Sequence, residues 1–202
     1  MFDRSPITVA GMFGGLAVTF ALVGPPNAFA GRFDGAAGLV HPDAPPPGHT
    51  GGFGEPTCQI CHAEYPLDAG GIRVALMGVP QAAEGGSVHR VAVLVRAEGT
   101  VTAGFQLSTR GPDGRQAGRL RAVDETVTVT RGETPAGIVE FAHQTERGTG
   151  DVDRSETMWT VEWVAPGEAV DVTWSVSGNS GNGDNSPFGD LVGAGSAGTR
   201  VR

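Results

Sequence analysis

Alternation of apolar and polar residues is the feature that most constrains how this chain folds. In VDVTWSVS (170–177) every second residue is a valine or a tryptophan, and the residues between them are polar. WTVEW (159–163) repeats the pattern, with Thr and Glu on the second face. A strand with one apolar face and one polar face is typical of an antiparallel sheet that has one side in the core.

Sequence typical of β-strands continues over most of the chain after residue 71. Short runs of β-branched residues are separated by turn sequences such as GPDGRQ (111–116) and RGETPAG (131–137). About eight strands at this spacing predict an all-β sandwich of two antiparallel sheets. The predicted strands are 72–76, 88–97, 104–109, 118–122, 126–130, 137–144, 158–164 and 170–177.

The N-terminus predicts export. Residues 7–24 are apolar and uncharged, Arg4 precedes them, and Ala28-Phe29-Ala30 matches a signal-peptidase site. We therefore predict a signal peptide over 1–30. The apolar run is also near the lower length limit of a membrane-spanning helix, so an uncleaved anchor is the alternative. Both place the rest of the chain outside the cytoplasm, in the periplasm of a bacterium or on the outer side of its membrane.

Changes in composition divide residues 31–202 into segments, and the net charge indicates which partners to expect. Residues 31–70 form a leader whose first part, 31–56, is rich in Gly and Pro without periodicity; 71–192 would form the sandwich and 193–202 a flexible tail. The net charge is −8, and all 14 basic residues are arginines without a basic stripe. Nucleic acid is therefore not expected as a partner, whereas a protein with a basic docking surface is.

The leader contains both cysteines of the chain in the motif Cys58-x-x-Cys61-His62. Two thiols at this spacing can reach the two vinyl groups of a haem, and the histidine can bind its iron as the proximal ligand. We expect one covalent haem c here. Three alternatives remain: a redox dithiol, a small disulfide and a zinc site. A redox dithiol needs a βαβ context, which this region does not predict. A Cys58–Cys61 disulfide would close a very short loop and stabilise the chain little. A structural zinc site needs four ligands, and this cluster is the only dense group of candidates.

The order of several segments resembles a known family, the reeler-like sandwich domain of secreted bacterial proteins that carry a CxxCH leader. The matching segments cover nearly all of the chain after the signal peptide. This resemblance implies an immunoglobulin-like β-sandwich, and it says little about function. The segments are PPPGHTGGFGEPTCQICHA (45–63), GFQLSTRGPDGRQAGRL (104–120), VEFAHQTERGT (139–149), WTVEWVAPG (159–167) and SGNSGNGDNSPFGD (177–190).

The sixth ligand of the iron has several candidates. His143 comes first, because it lies on the apolar face of its strand and at the family's recurring histidine position; a core histidine bonded to a carbonyl is the alternative. His49, in the recurring PPGHTG segment, is second and Met77 third. A vacant sixth site would instead imply small-ligand or peroxidase-like chemistry. The remaining candidates are His41, His89 and Met158.

These observations predict a monohaem c-type cytochrome that transfers single electrons to a redox protein, or within a membrane electron-transfer complex, and is not an enzyme. The alternative is a β-sandwich binding or assembly subunit in which haem is structural or absent. The Asn- and Asp-rich segment 178–190 has oxygen ligands for calcium, but without EF-hand spacing. An Asx-rich turn is the simpler interpretation of that segment.

Overall fold

Two β-sheets make up the part of the chain that the computed structural model describes, residues 44–149 and 155–202. Ten strands are present there, together with three single 3-10 turns at Cys58–Ile60, Ala69–Gly71 and Glu146–Gly148. The strands are β1 (Arg73–Met77), β2 (Ala82–Ala83), β3 (Val88–Arg96), β4 (Thr102–Arg110), β5 (Arg119–Ala122), β6 (Val127–Thr134), β7 (Gly137–Gln144), β8 (Glu156–Val164), β9 (Asp171–Gly181) and β10 (Leu191–Val201).

The smaller sheet has four strands in the order β1-β3-β8-β5, and the larger has six in the order β2-β10-β9-β4-β7-β6. Every pairing is antiparallel except the two-residue contact between β2 and β10. The all-β, immunoglobulin-like sandwich predicted from the sequence is therefore confirmed. All eight predicted strands are present, and β2 and β10 were not predicted.

The core lies between the sheets and is built on the alternating strands. Trp159 and Trp163 of β8 meet Phe105 and Trp174 of the larger sheet, with ring centroids 4.7 and 5.1 Å apart. Each indole N–H has a buried acceptor; that of Trp174 is Thr199 Oγ1 at 2.9 Å. Aromatic pairs of this geometry hold the two sheets together beyond the area they bury.

The prediction of a flexible tail at 193–202 is wrong, and the sandwich does not end at residue 192. This segment forms most of β10, which pairs with β9 over ten residue pairs. The small residues that suggested flexibility serve close packing instead. A Cβ on Gly193 would lie 2.9 Å from Val74 Cγ2, and one on Gly195 would lie 3.1 Å from the Val74 carbonyl oxygen. Glycine in a strand is typical of such close approach.

The predicted signal peptide or anchor, 1–30, lies outside the described residues. Within the described part of the chain, no helix is long and apolar enough to cross a membrane.

The packing of β10 can be tested at Thr199, whose hydroxyl accepts from Trp174 and donates to the Pro80 carbonyl oxygen at 2.7 Å. We expect Thr199→Val to lower the free energy of unfolding by about 1–3 kcal/mol, because it leaves the buried Trp174 N–H and the half-buried Pro80 carbonyl oxygen unpaired. Thr173→Val, at an exposed position of β9, is the control and should change it little. Chemical denaturation measures both, and equal effects would contradict this account of β10.

Candidate functional site

The described part of the leader, residues 44–70, lies on the outer face of the larger sheet, so β4 is buried on both of its faces. The guanidinium of Arg110, only 2% exposed, pairs with Glu55 of the leader. Its Cζ also lies over the ring of the leader's Phe53 at 5.2 Å and over the ring of Phe141 of β7 at 5.4 Å from the centroids. The ion pair with Glu55 and the cation–π contact with Phe53 thus attach the middle of the leader to the sheet.

A second attachment lies four residues earlier on β4, at Gln106. Its side-chain oxygen accepts from the backbone N–H of His49 at 2.6 Å, and its side-chain nitrogen donates to the Pro46 carbonyl oxygen at 2.9 Å. Both polar ends of a fully buried amide are therefore paired with leader backbone. Residues 46–49 of the segment without periodicity therefore have a defined path, because the sheet provides their hydrogen-bond partners.

The Cys58-x-x-Cys61-His62 motif forms one tight turn. The backbone N–H groups of Cys61 and His62 both donate to the Cys58 carbonyl oxygen, at 3.2 and 3.1 Å. The hydroxyl of Thr57 caps the turn by accepting from Gln59 N–H. Both cysteines are free thiols; Cys58 is half-buried and Cys61 exposed. Burial raises the pKa of the Cys58 thiol, although a hydrogen bond with Ser177 acts in the other direction.

The β9–β10 hairpin holds the motif and the residues after it. Cys58 N–H donates to Ser177 Oγ at 3.2 Å, and His62 Nδ1 lies 2.6 Å from Asp190 Oδ2. Glu64 accepts from Gly189 N–H in the same loop.

The residues after the motif are attached to β10. Asp68 N–H donates to the Val192 carbonyl oxygen at 2.8 Å, and Asp68 Oδ1 accepts from Ala194 N–H. The motif is therefore anchored at both ends, and β10, taken for a tail in the sequence, is part of its support.

Asp190 is the site residue that the sequence analysis did not identify. Its side chain is only 5% exposed, and its second oxygen accepts from Asn182 N–H at 3.2 Å. Because a carboxylate oxygen is an acceptor, His62 donates to it from Nδ1, and Nε2 is then the nitrogen with a free lone pair. The sequence held no signal for this pair, since 128 residues separate its members.

Apolar side chains are exposed around the motif. Ile60 is 63% exposed and Phe188, two residues before Asp190, is 68% exposed; Tyr65 and Leu67 are also exposed. A group of large apolar residues that are exposed together often marks a binding surface. The two thiols and the free nitrogen of His62 therefore lie in an apolar setting at one end of the sandwich.

His143 lies elsewhere on the same face. Its Nδ1 contacts the Gln144 carbonyl oxygen at 2.8 Å, and its Nε2 is buried with no hydrogen-bond partner among the described residues. His143 is level with Gln106 of β4 and Ser177 of β9, whereas Asp190 lies just before Leu191, the residue of β10 that pairs with Ser180. Asp190 is therefore offset from His143 by about 13 Å along the strands and about 14 Å across three strand spacings. The structure thus does not bring the first-choice distal ligand to His62, and burial lowers the pKa of His143.

The other two distal candidates differ in position. The structure does not bring Met77 to the motif: it pairs with Ala92 on the outer face of the smaller sheet, on the opposite side of the sandwich from the leader. Val74 and Leu76 are the residues of β1 that face the core, so strand alternation points Met77 outward. His49 lies over Gln106, on the strand beside the one that Cys58 contacts, with Nδ1 2.8 Å from the Pro46 carbonyl oxygen. His49 is therefore the nearest of the three to the motif.

The Asn- and Asp-rich segment forms an Asx turn after β9. Asn182 Oδ1 accepts from Asp184 N–H, and Asp184 Oδ1 accepts from Ser186 N–H. Asn185 adopts a positive φ of 60°, which asparagine tolerates. Over residues 44–149 and 155–202, no three His, Cys, Asp or Glu side chains are grouped to hold a metal ion. The loop oxygens are engaged in shaping the turn that presents Asp190.

Comparison with known proteins adds no family. No protein-family model matches the chain, and no curated protein matches it. Similar solved structures include a cohesin module from a Clostridium perfringens family 33 glycoside hydrolase, with 9% identity, a TM-score of 0.46, and coverage of 65% of this chain and 96% of that one. AvmM, which catalyses macrocyclization in alchivemycin A biosynthesis, has 16% identity, a TM-score of 0.41, and coverage of 65% and 89%. A cohesin from Archaeoglobus fulgidus has 11% identity, a TM-score of 0.33, and coverage of 64% and 91%. Likenesses this distant carry no inference about function.

The environments of the two thiols predict different reactivity. In the full chain made without haem, we expect iodoacetamide at pH 8 to alkylate Cys61 faster than Cys58, because Cys58 is less exposed and its pKa is raised. Peptide mass spectrometry over time measures both rates. In denaturant the two rates should become similar, and faster reaction of Cys58 in the folded chain would contradict the described turn.

The buried His143 predicts a pH dependence of stability. Its pKa is lowered in the folded state, so the unfolded chain binds this proton more readily. The stabilisation is complete above the unfolded value of about 6.5 and is lost as the pH falls toward the folded pKa. His143→Asn, which keeps a donor near Nδ1, should reduce the loss of unfolding free energy between pH 7.5 and 5.5. His49→Asn is the control, and an unchanged slope in His143→Asn would overturn the assignment.

Proposed function

We propose that this protein is an exported monohaem c-type cytochrome that transfers single electrons. Cys58 and Cys61 would hold the haem covalently, and His62 would bind its iron through Nε2. The observation that carries this proposal is the hydrogen bond from His62 Nδ1 to Asp190, directly beside two free thiols on one turn. Metal-binding histidines typically donate their other nitrogen in this way, which fixes the tautomer and the ring orientation.

The residues around the motif fit a haem. Each thiol would add its S–H across a vinyl group and form a thioether, a reaction without net oxidation. The exposed side chains of Ile60, Tyr65 and Phe188 would pack against the apolar macrocycle, which would cover surface that is otherwise open to water. Once bound, the haem supplies a metal centre that changes its charge by one electron. The chain's own contribution is to fix the ligand and exclude water from part of the ring.

The site lies at one end of the sandwich, which suits transfer between proteins. An exposed edge beside Cys61 lets a partner approach closely, and the net charge of −8 would favour a basic docking surface on that partner. Covalent haem attachment of this kind takes place outside the cytoplasm, in agreement with the export signal expected at 1–30. A periplasmic or membrane-associated redox protein is therefore the proposed partner.

The test is the optical spectrum of the protein from a host with a haem-maturation system, oxidised and reduced, with a pyridine-haemochrome assay. We expect a c-type spectrum, one haem per chain and a reversible response on an electrode. Cys58→Ser and Cys61→Ser should each remove one thioether bond. His62→Ala should change the axial ligation and the potential, because the iron loses its protein ligand.

His89→Ala is the matched control. His89 lies near the start of β3 in the smaller sheet, where it contacts Ser87 and Trp163, so its removal should leave the spectrum unchanged. A colourless protein with two thiols or a Cys58–Cys61 disulfide would reject the cytochrome and leave the binding or assembly module. High-spin iron that rapidly binds cyanide would instead indicate an open sixth position and haem enzyme chemistry.

A further inference from the structure

Asp190 is a buried carboxylate with both oxygens engaged, and one of them faces His62. Only 4% of the residue is exposed. Oδ2 lies 2.6 Å from His62 Nδ1, and Oδ1 accepts from Asn182 N–H. Among the ion pairs of the described residues, Asp190 pairs with His62 and with no arginine. Its negative charge is therefore directed at the imidazole and is not neutralised by a fixed cation there.

The hairpin holds this carboxylate in place. Gly189, at a positive φ of 82°, turns the chain immediately before Asp190, and its N–H donates to Glu64 of the leader. Immediately after Asp190 the chain enters β10, whose first residue pairs with Ser180. Asn182, which donates to Asp190, also contacts the Phe188 carbonyl oxygen at 3.1 Å. The hydrogen bond to His62 is thus fixed from both sides of the loop and does not depend on a mobile side chain.

We propose that Asp190 is a positioning residue that makes His62 an electron-rich ligand and keeps the reduction potential of the site low. This inference rests on the proposed function. A carboxylate that accepts from Nδ1 raises the basicity of Nε2, so the imidazole donates more strongly to the iron. Stronger donation favours the more highly charged ferric state. A buried negative charge acts in the same direction, because charge–charge interactions are strengthened where water is excluded.

This arrangement identifies a class of partner. A site that favours the ferric state accepts electrons only from strong reductants and passes them on readily. The physiological electron donor would therefore be a low-potential redox protein. A haem whose proximal histidine donates to a neutral carbonyl oxygen would lack this bias, since a neutral acceptor polarises the imidazole less than a carboxylate does.

The experiment compares the reduction potentials of the haem-loaded wild type, Asp190→Asn and Asp184→Asn. Asparagine keeps the shape and an acceptor oxygen but removes the charge. We expect Asp190→Asn to raise the potential, with a change of at least tenfold in the reduction equilibrium, or about 59 mV for one electron. Asp184→Asn removes an exposed charge from the same loop but keeps an acceptor oxygen for Ser186 N–H, so the turn is retained and the potential should stay within that limit.

The possible results separate this inference from the proposed function. Wild type without haem would reject the function itself. A haem-loaded Asp190→Asn protein with an unchanged potential, or one equal to that of Asp184→Asn, would overturn only the role of Asp190.

A second measurement applies if Asp190→Asn fails to load haem. Nitrogen-15 NMR of the unloaded wild-type chain reports the His62 tautomer directly. A proton on Nδ1 with Nε2 unprotonated supports the inference, and the opposite tautomer overturns it. Asp190→Glu, which retains the carboxylate, should keep the potential nearer to the wild-type value than Asp190→Asn does.

Discussion

The attachment of the leader to the outer face of the larger sheet is the constraint on which the site depends. Arg110 would be a buried, unpaired cation without Glu55, and loss of one partner from such a pair typically costs about 3–5 kcal/mol. Residues 44–70 of the leader therefore form one structural unit with the sandwich, and the cysteine motif is held against the larger sheet. Its position follows from contacts that start about twelve residues earlier, where Pro46 and His49 bind Gln106.

Under the proposed function, this rigid support would ease electron transfer. A ligand that is oriented before the iron changes charge needs little rearrangement when an electron arrives or leaves. His62 would meet this condition, because Asp190 accepts from its Nδ1 and Asn182 N–H donates to Asp190. The β-sandwich therefore supports the motif: Ser177, Gly189 and Asp190 of the β9–β10 hairpin bind the short turn and the residues after it.

The sequence predicted the fold well and the site in part, for identifiable reasons. Strand alternation identified eight strands because Trp159 and Trp174 face a core, a property that periodicity reveals. It missed β10, whose glycines pack against Val74 while resembling a flexible tail. The local motif Cys58-x-x-Cys61-His62 was visible, but its partner Asp190 was not, since long-range pairing leaves no local pattern. The distance of Met77 from the motif was not visible in the sequence either, because only the sheet topology shows which side of the sandwich a strand face points to.

Mass spectrometry of the mature protein tests the central claim most directly. Protein from a haem-maturing host is weighed intact and then digested, and the peptide that contains Cys58 and Cys61 is identified. We expect an added mass of one haem that stays on this peptide after denaturation and acid–acetone extraction. A peptide at its unmodified mass, or haem that is removed by extraction, would contradict it.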